Sequence, residues 1–135
     1  MILLDSSFII AYSNERDENH SKAIKIAKDI DKEIYGLPVI NDYVFDEVIT
    51  VMLFKIKKLK QVLELGEKIL EATMLINVDN ELFNLSWKIF KEQNKPKFSF
   101  TDCTIIATCR RNGISKIATF DEDFHGLKEF RIINS

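Results

Sequence analysis

A chain of 135 residues, 46% hydrophobic and 30% charged, is long enough for one domain with a real core and too apolar for a disordered tail. Its formal net charge of −2 denies it the basic surface of a plain electrostatic nucleic-acid binder, unless bound cations invert the charge locally. Four glycines and two prolines leave little for long loops, which predicts a helix-rich chain.

Met1 to Leu4 predicts a short buried strand, and Asp5-Ser6-Ser7 turns the chain into a helix over Phe8–Tyr12. Asn14 to Asn19 is polar and loop-like. In Ser21–Lys32, the residues Ala23, Ile24, Ala27 and Ile30 recur at the spacing of an amphipathic helix. Ile34–Ile40 holds Gly36 and Pro38 but is otherwise apolar and predicts a second strand. Asn41 or Asp42 caps a helix that runs to about Lys57. Lys58–Ala72 is a further helix with Leu59, Val62, Leu63, Ile69 and Leu70 as its apolar set. Met74–Val78 is a short strand, and Asp79 caps a helix to about Glu92. After the loop Lys95-Pro96-Lys97, a helix spans Phe100–Asn112, with Gly113 where a left-handed stop is wanted. Ile117–Thr119 is a buried strand, Phe120 to Asp123 a turn, and Phe130–Ile133 the last strand.

Strands alternate with helices, and the strands are continuous apolar runs. That predicts a mainly parallel sheet covered on both faces, a three-layer α/β/α sandwich in a single domain over residues 1–135. No stretch has the basic start and apolar run of a signal peptide, nor the roughly 20 apolar residues of a membrane span. With Cys103 and Cys109 at a spacing that fits neither a redox pair nor a zinc knuckle, this predicts a cytoplasmic protein with two core thiols.

In an open parallel sheet, sites form beyond the carboxyl ends of the strands. Carboxylates collect there. Asp5 follows the first strand, and Asp121 and Asp123 follow the Ile117–Thr119 strand. Asp102 opens the helix before that strand, and Glu47 lies about a turn and a half into the helix after the second. Each has a local explanation as well. Asp5 can cap the helix after it, Ser99-x-x-Asp102 has the form of a capping box, and Asp121 and Asp123 suit a turn. Glu47 shares a helical face with Val44, Val51 and Phe54, whereas Asp46 falls on the polar stripe of Asp42, Thr50 and Lys57. A carboxylate on an apolar face needs an ion or a hydrogen-bond partner. Acids that converge repel one another unless a cation sits among them, and oxygen-only ligands suit Mg2+ or Mn2+.

The segments Leu3-Leu4-Asp5-Ser6-Ser7, Asp42 to Thr50, Phe100-Thr101-Asp102-Cys103 and Ala118 to Phe124 together resemble the PIN-domain ribonucleases, in particular the VapC toxins of toxin–antitoxin pairs. The resemblance runs in order along nearly the whole chain. It implies a metal-dependent endoribonuclease that leaves 5′-phosphate and 3′-hydroxyl ends. It further implies that Asp5, Glu47, Asp102 and Asp121 hold one or two Mg2+ or Mn2+ ions, with Asp123 as a further acid. Ser6 and Thr119 match hydroxyl positions that support the acids or touch phosphate, and Thr101 stands beside them. A VapB-like antitoxin and a homodimer are likewise implied.

Other features point elsewhere. His20 and His125 lack metal-ligand spacing, and there is no dinucleotide or P-loop motif. Lys55, Lys57, Lys58 and Lys60 form a solvated helix end or a contact for RNA phosphates. Arg110 and Arg111 suit a helix C-terminus. Phe83, Trp87 and Phe90 recur at the spacing of core or dimer packing. Three alternatives stay open: a PIN nuclease of RNA processing or decay without an antitoxin, an inactive interaction module, and a receiver-like domain. The last would need paired acids after the first strand, where Asp5 stands alone.

Overall fold

In the computed structural model, which describes residues 1–135, the apolar runs form one five-stranded sheet. Its strands are β1 (Ile2–Leu4), β2 (Pro38–Asn41), β3 (Met74–Ile76), β4 (Lys116–Ala118) and β5 (Arg131–Ile133). They lie in the order β3-β2-β1-β4-β5, and every pairing is parallel. Parallel neighbours need crossovers. The connecting helices are α1 (Ser6–Ser13), α2 (His20–Asp31), α3 (Asp42–Ile56), α4 (Leu59–Ala72), α5 (Asn80–Lys91) and α6 (Phe100–Asn112). The expected α/β sandwich is therefore present, with a wholly parallel sheet.

β1 lies at the centre, and Ile2, Leu3 and Leu4 are all buried, as a strand covered on both faces requires. The core around it takes Phe8 from α1, Ile26 from α2, and Val44, Val48 and Met52 from α3. Ile105 and Ile106 of α6, with Phe124, close the other side. The chain runs outward from β1 to β2 and β3, then returns to place β4 on the other side of β1. The point where the direction of winding reverses thus lies between β1 and β4. Crevices open there beyond the carboxyl ends of the strands.

Local chemistry sets the element ends. Asp5, Asn41, Asp79 and Ser99 each accept a backbone N–H at the start of a helix. Gly113 ends α6 at φ 64°. The predicted strand Ile34–Ile40 begins only at Pro38, because Glu33 and Gly36 both have positive φ and make the preceding segment a turn. The predicted turn Phe120 to Asp123 runs on into a 3-10 turn over Glu122–Gly126.

Several apolar expectations are corrected. α4 buries Val62, Gly66 and Ile69, while Leu59, Leu63 and Leu70 are exposed. It packs on α3 along a narrow seam, where a Cβ on Gly66 would lie 3.3 Å from Ile49 Cδ1. Phe83, Trp87 and Phe90 are not core, since the buried residues of α5 are Leu82 and Ser86 and all three aromatics stay exposed. Met74 and Leu75 of the edge strand β3 are exposed, so the sheet is not covered along that edge.

Candidate active site

Asp5 stands at the end of β1 and caps α1 by accepting the Ser6 N–H at 2.8 Å. Its backbone N–H donates to Ala118 O of β4, which ties the two strand ends together. The carboxylate is buried, and hydroxyl groups supply its partners. Ser7 Oγ and Thr119 Oγ1 both donate to Oδ2, at 2.8 and 2.7 Å. These hydroxyls also organise the loop after β4. Ser7 Oγ accepts from the Phe120 N–H, and Thr119 Oγ1 accepts from the Asp121 N–H. The placement of Asp121 therefore follows from that of Asp5. Burial pushes the Asp5 carboxyl above its ordinary value, the hydroxyl bonds oppose that, and the Glu47 charge adds to it.

Glu47 reaches the site from α3, where Ser6 Oγ donates to its Oε1 at 2.8 Å. The stripe that places it needs correction. The buried seam of α3 is Val44, Val48 and Met52, and Phe54 is 70% exposed. Glu47 is half-buried at the edge of that seam, and its hydroxyl partner satisfies the carboxylate there. Asp46 is exposed, as expected, and receives a long bond from Thr50.

Asp102 fills its local role and has capacity left over. Its Oδ2 accepts the Ser99 N–H at 3.0 Å, and Ser99 Oγ accepts the Asp102 N–H, a complete capping box. Burial, followed by the charges of Asp5 and Asp121, pushes its carboxyl up to about 6. Asp121 takes the Asp123 N–H on Oδ1, so both candidate site residues are turn formers as well. Asp123 is half-buried in the 3-10 turn.

Four elements thus bring Asp5, Glu47, Asp102 and Asp121 to the carboxyl end of the sheet, with Ser6 and Thr119 bonded among them. Thr101 enters this network only through its backbone carbonyl, which accepts from Thr104 Oγ1 within α6. Ser7 is the residue that sequence reasoning missed. A second serine after the strand-end Asp reads as helix, and only the fold shows that it faces β4. No cation of the chain answers these acids. Its ion pairs are Arg110–Glu129 and Arg111–Asp79, so both arginines of the α6 C-terminus are engaged elsewhere. His20 Nδ1 bonds Ala11 O, and His125 lies against Asn134. Lys55, Lys57, Lys58 and Lys60 are exposed at the α3–α4 junction. Cys103 and Cys109 are buried free thiols.

The donor set is oxygen-only and carries uncompensated negative charge, which fits a hard divalent cation. No three acidic, cysteine or histidine side chains stand close enough together to hold a metal ion by themselves. Mg2+ does not require a closed cage, since it keeps several waters and takes one or two carboxylates plus substrate phosphate.

Comparison with known proteins agrees with this architecture. The family model of the PIN domain matches residues 2–129. Among solved structures, VapC20 of Mycobacterium tuberculosis, a sarcin–ricin loop cleaving toxin, superposes with a TM-score of 0.81 at 21% identity, over 95% of both chains. A toxin–antitoxin complex from Klebsiella pneumoniae gives 0.70 at 21% identity, over 97% of this chain and 96% of the other. DNA-bound VapBC from Salmonella typhimurium gives 0.71 at 16% identity, over 97% and 95%. No curated protein matches by sequence. With strand ends, acids and family model in agreement over nearly the whole length, the chain belongs to the PIN-domain family.

Proposed function

We propose that this protein is a metal-dependent endoribonuclease and the toxin of a VapBC-type toxin–antitoxin pair. The observation that carries the nuclease reading is the meeting of Asp5, Glu47, Asp102 and Asp121 at the β1–β4 crevice with no cation of the chain to balance them. Asp5, Glu47, Asp102 and Asp121 would hold Mg2+ or Mn2+, directly or through water. When bound, such an ion supplies charge neutralisation at a phosphodiester and favours ionisation of water. The chain's own part is to hold the acids in place. Ser7 and Thr119 fix Asp5, Ser6 fixes Glu47, and the capping box fixes Asp102. Asp123, whose N–H donates to Asp121 Oδ1, would support the site from its rim.

Several of the similar structures are toxin–antitoxin complexes, which supports an antitoxin partner here. An apolar cleft of about 190 Å³ between α1, α2 and α4, lined by Phe8, Ile9, Tyr12, Ile30 and Leu65, suits an inserted segment of such a partner. A homodimer is part of the same reading. A cytoplasmic location belongs to the same toxin reading; no helix is long and apolar enough to cross a membrane.

The deciding test is cleavage of a structured RNA pool by pure protein in Mn2+ or Mg2+, beside Asp102→Asn. Metal-dependent cuts with 5′-phosphate ends that vanish in the variant are expected. Cuts that persist in Asp102→Asn would remove the site assignment. Metal binding without cleavage of any RNA would favour an inactive interaction module.

A further inference from the structure

A buried polar group beneath the site has no part in the chemistry described so far. Asn41, Thr104 and Thr108 are all 0% exposed, in a core otherwise built mostly of aliphatic and aromatic side chains. Asn41 ends β2 and caps α3, its Oδ1 accepting the Val44 N–H at 2.9 Å. Its Nδ2 donates across to α6, to Thr104 Oγ1 at 3.1 Å and Thr108 Oγ1 at 3.2 Å. Each threonine hydroxyl spends its own proton within α6, on Thr101 O and Thr104 O. Both therefore present lone pairs to Asn41. The amide can face only one way. Flipped, it would set Nδ2 against the Val44 N–H and Oδ1 against two oxygens with no proton to give. Every buried side-chain polar atom here is satisfied.

Such a network costs desolvation and gains direction. α3 itself meets α6 through the Tyr43 and Phe100 rings, and apolar contact is non-directional. A slide of one residue along a helix moves a side chain by about 1.5 Å and turns it by about 100°. The hydrogen bonds forbid that slide. They also act close to the acids, since Thr104 is two residues from Asp102 and Asn41 six from Glu47. Glu47 is already fixed against α1 by Ser6 Oγ.

We propose that Asn41, Thr104 and Thr108 are positioning residues that set Glu47 of α3 against Asp102 of α6, and so determine how well the site takes its divalent cation. This rests on the nuclease reading above. Groups that orient metal-binding side chains are worth about 10- to 100-fold in metal affinity.

The test is Mn2+ binding to the full chain without RNA, read by electron paramagnetic resonance, with thermal unfolding in EDTA measured alongside. The Thr104→Val/Thr108→Val pair keeps side-chain shape and removes both acceptors. It should lose about tenfold or more in Mn2+ affinity. The Thr104→Ser/Thr108→Ser pair keeps both hydroxyls and should stay within about twofold of wild type, a rescue that loss of core methyl groups cannot give. Asn41→Ser keeps a cap for α3, loses the reach to α6, and should behave as the valine pair. Ile105→Val, a buried neighbour outside the network, controls for destabilisation and should bind Mn2+ normally. A valine pair that binds like wild type, or an Ile105→Val variant that loses as much, would overturn the positioning role alone. A wild type that binds no Mn2+ would overturn the nuclease reading and this role together.

Discussion

Asp102 shows how one side chain serves both the fold and the site. Its Oδ2 closes the capping box, and Oδ1 lies outside it. Burial and the Asp5 and Asp121 charges raise its carboxyl from 3.8 to about 6. A raised carboxyl binds its proton more tightly in the folded than in the unfolded chain. Its ionisation therefore costs no stability below about pH 4, and the full penalty is present above about pH 6. Metal-free protein should lose stability across that window. Asp102→Asn, which carries no charge, should melt higher than wild type at pH 7.5 and near it at pH 4, by differential scanning fluorimetry in EDTA. Equal melting at both pH values would show that the acids do not strain one another. Mn2+ affinity should rise with pH through about 6 as the ligand loses its proton. Exposed Asp46 and its half-buried neighbour Glu47 give a second residue-scale comparison. Glu47→Gln should abolish cleavage, and Asp46→Asn should change it little, because only Glu47 is bonded into the site by Ser6. The reverse ranking would place the functional face of α3 on the other side.

At the scale of elements, two left-handed residues end helices in opposite circumstances. Gly113 closes α6 at φ 64°, and an added Cβ there would meet nothing within 4 Å. Gly113→Ala should thus cost only backbone strain, about 1–2 kcal/mol, in a urea midpoint. Lys57 closes α3 at φ 58° and already bears that strain. Lys57→Gly relieves it at the expense of chain entropy, so a gain of about 0.5 kcal/mol is expected. Matching losses in both variants would show that the Lys57 side chain contributes more than its conformation costs. These ends also show what was legible beforehand. Gly113, Asn41, Asp79 and the Ser99–Asp102 box announce themselves because capping is local chemistry. Asp5, Asp102 and Asp121 were legible for the same reason, being attached to element ends. What the sequence hid is tertiary. Ser7 faces β4 only once the sheet forms, and the Asn41–Thr104–Thr108 bonds join residues more than sixty positions apart. Phe54 and Leu63 have the periodicity of a core face, yet no element lies over them. Periodicity shows that a face is apolar, and packing decides whether it is covered.

Across the whole molecule, a cluster of partly exposed aromatic side chains gathers around Phe100 at the start of α6. Phe100, two residues before Asp102, touches Phe83, Tyr43 and Phe90 with ring centroids 5.2, 5.8 and 6.3 Å apart. Trp87 stacks on Phe90 at 5.7 Å and is 46% exposed. Clustered exposed aromatics are the residues that anchor protein interfaces. The homodimer of the proposed function fits this face, which would set two acidic sites near one another. Trp87 is the chain's single tryptophan, so its emission reports on this surface alone. Across a dilution series, wild-type protein should sediment as a dimer with blue-shifted emission, shifting red as it dissociates. Trp87→Glu places a charge on the same face without entering the core, because α5 packs through Leu82 and Ser86. It should sediment as a folded monomer. A Trp87→Glu variant that still dimerises would move the interface to another surface, with the exposed Phe54, Leu59 and Leu63 of the α3–α4 junction as the next apolar face to test. A wild type that remains monomeric with unchanged emission would remove the dimer and leave the aromatic face free beside the acids.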